Sequence, residues 1–116
     1  MNLSNIFHNI PDELKDELFQ DIINTPAFRL ERIVSRGHTT APDFWYDQDK
    51  AEWVMLLSGE AVLLFKRDNR RIRMTPGDHI LIPAHEKHRV EWTATDRDTV
   101  WLTLHFTDTK NQGDTT

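Results

Sequence analysis

The chain has 116 residues, with 19 acidic and 14 basic side chains and a formal net charge of −5. That length allows one compact domain and excludes a second catalytic domain, and the acidic balance offers no basic face for a nucleic acid. The absence of cysteine excludes disulfides and thiolate metal sites, so any transition metal must bind to His, Asp or Glu.

The sequence pattern of the first 27 residues indicates a helical extension. Apolar side chains recur every four residues, at Ile10, Leu14, Leu18 and Ile22, and in a helix they would line one face. Pro11 suits the first turn of a helix, and Pro26 would end it. We therefore predict one short N-terminal helix within residues 1–27, packed on its own domain or on a dimer partner.

From residue 28 onward the pattern changes to short runs rich in Val, Ile, Leu, Phe and Trp, separated by turn residues. This is typical of an all-β sandwich or barrel. We predict a β domain over residues 28–106, with strands at 28–35, 52–57, 60–66, 71–74, 79–82, 88–93 and 99–106. The polar tail at 107–116 is predicted to be flexible.

No run of about 18 apolar residues is present, which is the length needed for a membrane-spanning helix. The N-terminus also lacks the basic and then apolar regions of a secretory signal. We therefore expect a cytoplasmic protein with neither a membrane nor a nucleic acid as its partner.

Two stretches carry a resemblance to a known family. Residues 52–59 read EWVMLLSG, and residues 77–88 read GDHILIPAHEKH. They are similar to the second half of the first cupin motif, Glu-x6-Gly, and to the second cupin motif, Gly-x5-Pro-x-Gly-x2-His-x3-Asn. His85 stands where the family usually has Gly, and Trp92 stands where it often has Asn. The resemblance implies a double-stranded β-helix, the jelly-roll barrel of the cupins.

The resemblance also implies a metal site, from which this sequence departs. Metal-loaded cupins use three His and one Glu, and only Glu52 and His88 match those positions. Counting back from Glu52, the two remaining His positions fall on Trp45 and Asp47 or on Tyr46 and Gln48. The indole of Trp45 cannot bind a metal, because its nitrogen only donates hydrogen bonds.

Two interpretations of this motif remain open. A mixed site of Asp47, Glu52 and His88, completed by His85 or water, would suit Fe(II), Mn(II), Ni(II) or Zn(II). Alternatively, Glu52 and His88 hydrogen-bond to each other in a pocket with no metal.

Further side chains are candidates for the wall of a ligand pocket. Trp45 or Tyr46 could stack on a planar or sugar-like molecule that Gln48 orients, although aromatic side chains inside barrels more often only pack. Strand alternation places Trp92 on the same side as His88. We add two charged or polar strand residues: His105, and Arg32, which could bind a carboxylate of a ligand or lie at the rim.

The sequence therefore predicts a stand-alone cupin that binds a small polar molecule. It leaves open a metal-dependent enzyme and a metal-free binding or sensing module, because a fold does not define a function. The resemblance implies a homodimer, and exposed edge strands also favour pairing.

Overall fold

The computed structural model describes residues 1–109, so most of the tail predicted to be flexible, residues 110–116, lies outside the described residues. The described chain forms eight strands: β1 Leu18–Asn24, β2 Phe28–Ser35, β3 Ala51–Ser58, β4 Ala61–Phe65, β5 Arg70–Met74, β6 His79–Ile82, β7 His88–Thr93 and β8 Thr99–Phe106. They make two antiparallel sheets, in the orders β1-β2-β8-β3-β6 and β5-β4-β7. The predicted all-β jelly-roll barrel is confirmed.

The predicted N-terminal helix is wrong, and no α-helix occurs among residues 1–109. Instead, β1 pairs with β2 from Leu18 opposite Val34 to Asn24 opposite Arg29, with a bulge between Asp21 and Ile23. The edge of β2 supplies backbone partners to residues that favour strands, and this tertiary contact outweighs the four-residue apolar spacing. The described residues also contain no helix that is long and apolar enough to cross a membrane.

The residues that precede β1 are held to the barrel by side chains of the β2 region. Arg32 donates hydrogen bonds to the backbone carbonyls of Ile6 and His8 at 3.0 and 2.6 Å. Arg36 donates in the same way to the carbonyl of Asp12 at 2.8 Å. These contacts satisfy backbone carbonyls that a helix would have used internally.

A compact core lies between the two sheets and forms one boundary of the interior cavity. Its members are apolar side chains of five strands, namely Val54, Leu56, Ala61, Leu63, Phe65, Met74, Ile82 and Trp101. The indole nitrogen of buried Trp101 donates to the Ser35 hydroxyl at 3.1 Å, which satisfies its only polar atom. The core thereby gives the cavity a rigid apolar wall.

Candidate functional site in the barrel cavity

The barrel encloses a cavity of about 220 Å³ between its two sheets. It exceeds the ~150 Å³ cavity that is known to accept benzene. Part of the wall is apolar, formed by Ile33, Val54, Leu63, Ile82, Val90 and Trp101. The rest of the wall consists of Phe19 from β1 and of polar or charged side chains, namely Glu17, Arg29, Glu31, Tyr46, Gln48, Glu52, His88, Thr103 and His105. The cavity therefore combines an apolar wall with convergent polar groups, as small-molecule pockets do.

Glu52 and His88, the two residues that match the metal motif, meet inside this cavity. His88 Nε2 lies 3.3 Å from Glu52 Oε1, and both side chains are buried. His88 Nδ1 lies 2.8 Å from the Glu86 carbonyl, which can only accept, so Nδ1 carries a hydrogen. Nε2 must carry a second hydrogen to bond to a carboxylate. The geometry therefore favours a His88 imidazolium beside a Glu52 carboxylate.

The electrostatic surroundings of His88 agree with that protonation state. Burial lowers the pKa of His88, but the hydrogen bonds to Glu52 and to the Glu86 carbonyl outweigh it, so the pKa is raised above 6.5. Tyr46 stacks on the imidazole with ring centroids 5.6 Å apart. The backbones of Tyr46 and His88 also exchange hydrogen bonds at 2.8 and 3.2 Å, which brings the segment before β3 to the cavity wall.

A second carboxylate–imidazole pair adjoins the first. His105 Nε2 lies 3.3 Å from Glu31 Oε1 and 3.6 Å from Glu52 Oε2. The Thr103 hydroxyl donates to Glu31 Oε1 at 3.3 Å. Glu31, His105, Glu52 and His88 thus form one continuous chain of side chains, the Glu–His cluster, in which each imidazole touches at least one carboxylate.

Strand register explains why these side chains meet. On the inner face, Glu31 of β2 pairs with Thr103 of β8, and His105 of β8 pairs with Glu52 of β3. Burial raises the pKa of Glu31, but hydrogen bonding to His105 and the charge of Arg29 outweigh it, so the pKa is lowered. Glu31 was not predicted, because the charged residue that the sequence pattern singled out, Arg32, lies on the other face of β2. The alternation of Arg29 and Glu31 along that strand was the available signal.

The donor types of the Glu–His cluster suit a divalent metal, but their arrangement does not. Each imidazole Nε2 is already in contact with a carboxylate at 3.3 Å. Within residues 1–109, no group of three or more His, Asp or Glu side chains is disposed to hold a metal ion. As arranged, these residues satisfy one another and do not fit a metal centre.

The other two predicted metal ligands lie at the surface. His85 Nδ1 and Asp47 Oδ1 are 2.7 Å apart, with side chains 63% and 41% exposed. Neither side chain lines the cavity. His85 adopts a φ of 63°, the left-handed conformation that explains Gly at this position in the family motif. The structure therefore divides the predicted four-residue set into a buried pair and an exposed pair.

The predicted pocket residues are divided in the same way. Tyr46, Gln48 and His105 line the cavity. Trp45, contrary to the prediction, lies outside it, where the Lys66 and Arg89 cationic groups sit 5.7 and 5.5 Å from its ring centroid. Tyr46 faces inward beside His88, and its neighbour in the chain consequently faces outward.

Trp92 and Arg32 also lie outside the cavity. On β7, Val90 pairs with Leu63, but Trp92 pairs with the next residue of β4, Val62, so β7 carries an extra residue. This bulge reverses the phase after Val90 and leaves Trp92 38% exposed. Arg32 lies on the outer face of β2, bound to the N-terminal segment and to Gln20.

Comparisons with known proteins agree with this architecture. The family model for the cupin domain matches residues 32–105. A solved structure of a proposed mannose-6-phosphate isomerase from Ralstonia eutropha JMP134 is 39% identical, covers 93% of this chain and 100% of its own, and has a TM-score of 0.88. Among proteins with curated functions, none matches the sequence significantly.

More distant structures share the fold alone. A cupin superfamily protein from Desulfitobacterium hafniense DCB-2 is 18% identical over 85% of this chain and 84% of its own, with a TM-score of 0.70. A polyketide cyclase from Streptomyces resistomycificus is 21% identical over 81% of this chain and 67% of its own, with a TM-score of 0.67. From the motifs, the barrel and the matching family model, the chain belongs to the cupin family.

Proposed function

We propose that this cupin binds a small, uncharged, hydroxylated organic molecule in its barrel cavity. The observation that carries the proposal is the Glu–His cluster, four buried ionisable side chains on the wall of an otherwise largely apolar cavity. Buried charged groups cost stability when they serve only packing, so their concentration in one cavity favours a binding role. Hydroxyl groups would donate to Glu31 and Glu52, and carbon atoms would contact the apolar wall.

The charge balance of the cavity supports an uncharged ligand. The carboxylates of Glu31 and Glu52 are offset by Arg29 and by the His88 imidazolium. Burial raises the pKa of Glu17, the third acidic side chain of the wall, and so favours its neutral form. A ligand with a strong net charge of either sign would upset this balance.

The same balance bears on the Ralstonia structure described as a proposed mannose-6-phosphate isomerase. A phosphate dianion needs several cationic or N–H donors. Among the residues lining this cavity, Arg29 is the single Lys or Arg, and it already contacts Glu31 at 3.0 Å and Asp21 at 3.5 Å. A sugar or polyol without phosphate suits the cavity better than a sugar phosphate does.

A thermal-shift panel tests this ligand class. It compares neutral sugars and polyols with their phosphate esters and with amines of similar size. We expect at least one neutral compound to raise the melting temperature, since a ligand at 100 times its Kd adds about 2.7 kcal/mol of stability. Glu52→Gln should weaken that response, whereas the surface control Glu91→Gln should not. A response confined to phosphate esters would refute the proposal.

A divalent-metal-dependent enzyme is the competing function. It is favoured by His88, whose Nδ1 is oriented by the Glu86 carbonyl as in many metal-binding histidines. Binding of Fe, Mn, Ni or Zn would require His88 to lose its Nε2 hydrogen, because a metal ligand must be deprotonated. Elemental analysis of untagged protein, with Glu52→Ala/His88→Ala beside it, distinguishes the functions. Near one equivalent of metal, lost in the variant, would favour the enzyme; protein that neither contains nor takes up metal would favour the metal-free binder.

A further inference from the structure

A second cavity, which we call the edge pocket, lies at one edge of the β-sandwich. Its volume is about 190 Å³, and its lining comes from β4, β5 and β6, from the turn between β4 and β5, and from the loop after β6. β5 is the last strand of the three-stranded sheet, and β6 is the last strand of the five-stranded sheet. The residues that line the edge pocket and those that line the barrel cavity have no member in common. The edge pocket is therefore a separate candidate site.

The inner part of the edge pocket is apolar. Phe65 of β4, Ile72 of β5 and Ile80 of β6 line it, and all three belong to the hydrophobic core or pack against it. Strand register explains their placement, because Ile72 pairs with Leu63 and Ile80 pairs with Val54, and both partners face the interior. The edge pocket thus offers an apolar surface whose burial by a ligand side chain is favourable.

The rim of the edge pocket is charged. Arg67, Asp68 and Arg70 come from the β4–β5 turn and the start of β5, and Glu86 comes from the loop after β6. Arg67 Nη2 lies 3.6 Å from Glu86 Oε1, so these two side chains offset each other. Within residues 1–109, neither Asp68 nor Arg70 has a side-chain hydrogen bond or an ion pair. After the Arg67–Glu86 pair is set aside, the rim holds one unpaired charge of each sign.

Arg70 faces the edge pocket because of its position in β5. Side chains alternate along a strand, so Arg70 shares a face with Ile72 and with Met74, which is buried. The other two arginines of β5, Arg71 and Arg73, lie on the opposite face. A guanidinium binds a carboxylate through two parallel hydrogen bonds. Arg70 is therefore placed to bind a carboxylate whose carbon chain enters the apolar part of the pocket.

We propose that the edge pocket binds a zwitterionic α-amino acid with an aliphatic side chain. Arg70 binds the ligand carboxylate, Asp68 binds the ammonium group, and the side chain contacts the apolar inner part. A simple anion or a simple cation would cover either Asp68 or Arg70 without giving it a partner, which is unfavourable. The volume of about 190 Å³ exceeds the ~150 Å³ that accepts benzene, so a branched aliphatic side chain has room. This proposal does not rest on the ligand of the barrel cavity.

Titration of the full chain with L-leucine, followed through its amide chemical shifts, tests the proposal. We expect saturable shifts at residues 65–72 and 80–86 and a Kd of about 1 mM or tighter. Isocaproate lacks the ammonium group of leucine, and isoamylamine lacks the carboxylate. Each should bind at least about 10-fold more weakly than L-leucine, because a charge-assisted contact is lost. Glycine, which has no side chain to bury, should cause no saturable shift.

Variants of the rim test the assigned contacts. Arg70→Gln and Asp68→Asn should each weaken the binding of L-leucine by at least about 10-fold. Arg73→Gln is the matched control, because it removes the same charge from the same strand on the opposite face, and it should bind L-leucine like the native protein. All three positions are exposed, so we expect each variant to fold, which circular dichroism checks.

Several results would overturn the proposal. The absence of saturable shifts up to about 10 mM L-leucine would remove the site. Isocaproate that binds as tightly as L-leucine would show that the ammonium group has no role. Shifts centred on Glu52 and His88 would place leucine in the barrel cavity, and unchanged binding in both Arg70→Gln and Asp68→Asn would contradict the assigned contacts. None of these results bears on the binding of an uncharged molecule in the barrel cavity.

Discussion

Replacing Glu52 by Gln should reveal how much the buried Glu52–His88 pair contributes to stability. The two side chains are 11% and 7% exposed and their nearest atoms are 3.3 Å apart. Removing one partner of such a buried pair costs about 3–5 kcal/mol. Gln keeps the shape and one hydrogen bond, so we expect a loss of about 2 kcal/mol, which for a domain of this size lowers Tm by roughly 8 °C.

The loss should depend on pH in a defined direction. The raised pKa of His88 means that the folded state binds the proton more tightly than the unfolded state. The stabilisation is therefore complete below about pH 6.5 and disappears as pH rises through the raised pKa. The Tm difference between the native protein and Glu52→Gln should be largest near pH 6 and should shrink towards pH 9.

Thermal unfolding of a double-mutant cycle isolates this pair from the other histidines. Glu52→Gln, His88→Gln and the double variant are compared from pH 6 to pH 9 by circular dichroism. Residues in direct contact should couple by at least about 1 kcal/mol at pH 6. Additive effects within about 0.5 kcal/mol, or the same pH slope with and without Glu52, would refute the assigned ion pair.

Three further changes test other parts of the structure. Gly59→Ala should lower the free energy of unfolding by about 3 kcal/mol, because the added Cβ would lie 2.5 Å from Thr99 Cα at a φ of +86°. Gly77→Ala has open space around it and should cost only about 1 kcal/mol. Equal losses of Tm in the two variants would contradict this. Arg32→Met should release residues 6–9, seen as faster amide exchange there, and unchanged protection would contradict the anchoring. Burial raises the pKa of Glu17, so Glu17→Gln should raise Tm at pH 7. This gain in Tm should vanish as the pH falls, because the native Glu17 side chain then takes up a proton. A Tm difference that stays constant down to pH 4 would contradict this.

The barrel was predictable from the sequence because its signals are local. Alternating apolar residues mark the strands, Gly59 and Gly77 fall at turns with positive φ, and Pro83 directly follows the end of β6. The helix predicted for the N-terminal segment was wrong because the strand that forms there depends on pairing with β2. Leu18 and Ile22 fit a helix by spacing, and only the exposed edge of β2 decides that this segment forms a strand.

The candidate site was predictable only where the motif or strand alternation held. Glu52 and His88 follow from the motif, and both lie in the cavity. The prediction that Trp92 lines the pocket was wrong because one extra residue in β7 reverses the alternation of its side chains. Such a bulge leaves no clear signal in a single sequence. Alternation could have placed Glu31 on the inner face of β2, but its contacts with Thr103 and His105 depend on the register between β2 and β8, which is a long-range property.

Calorimetric titration of a cavity-filling variant is the most direct test of the central claim, that the barrel cavity binds an uncharged hydroxylated molecule. Leu63 lines the apolar wall, so Leu63→Phe should fill part of the 220 Å³ space without touching the Glu–His cluster. We predict one-to-one binding of a neutral polyol or sugar to the native protein and to Trp92→Glu, and at least 10-fold weaker binding to folded Leu63→Phe. Equal affinity in all three proteins would place the ligand elsewhere and contradict the account.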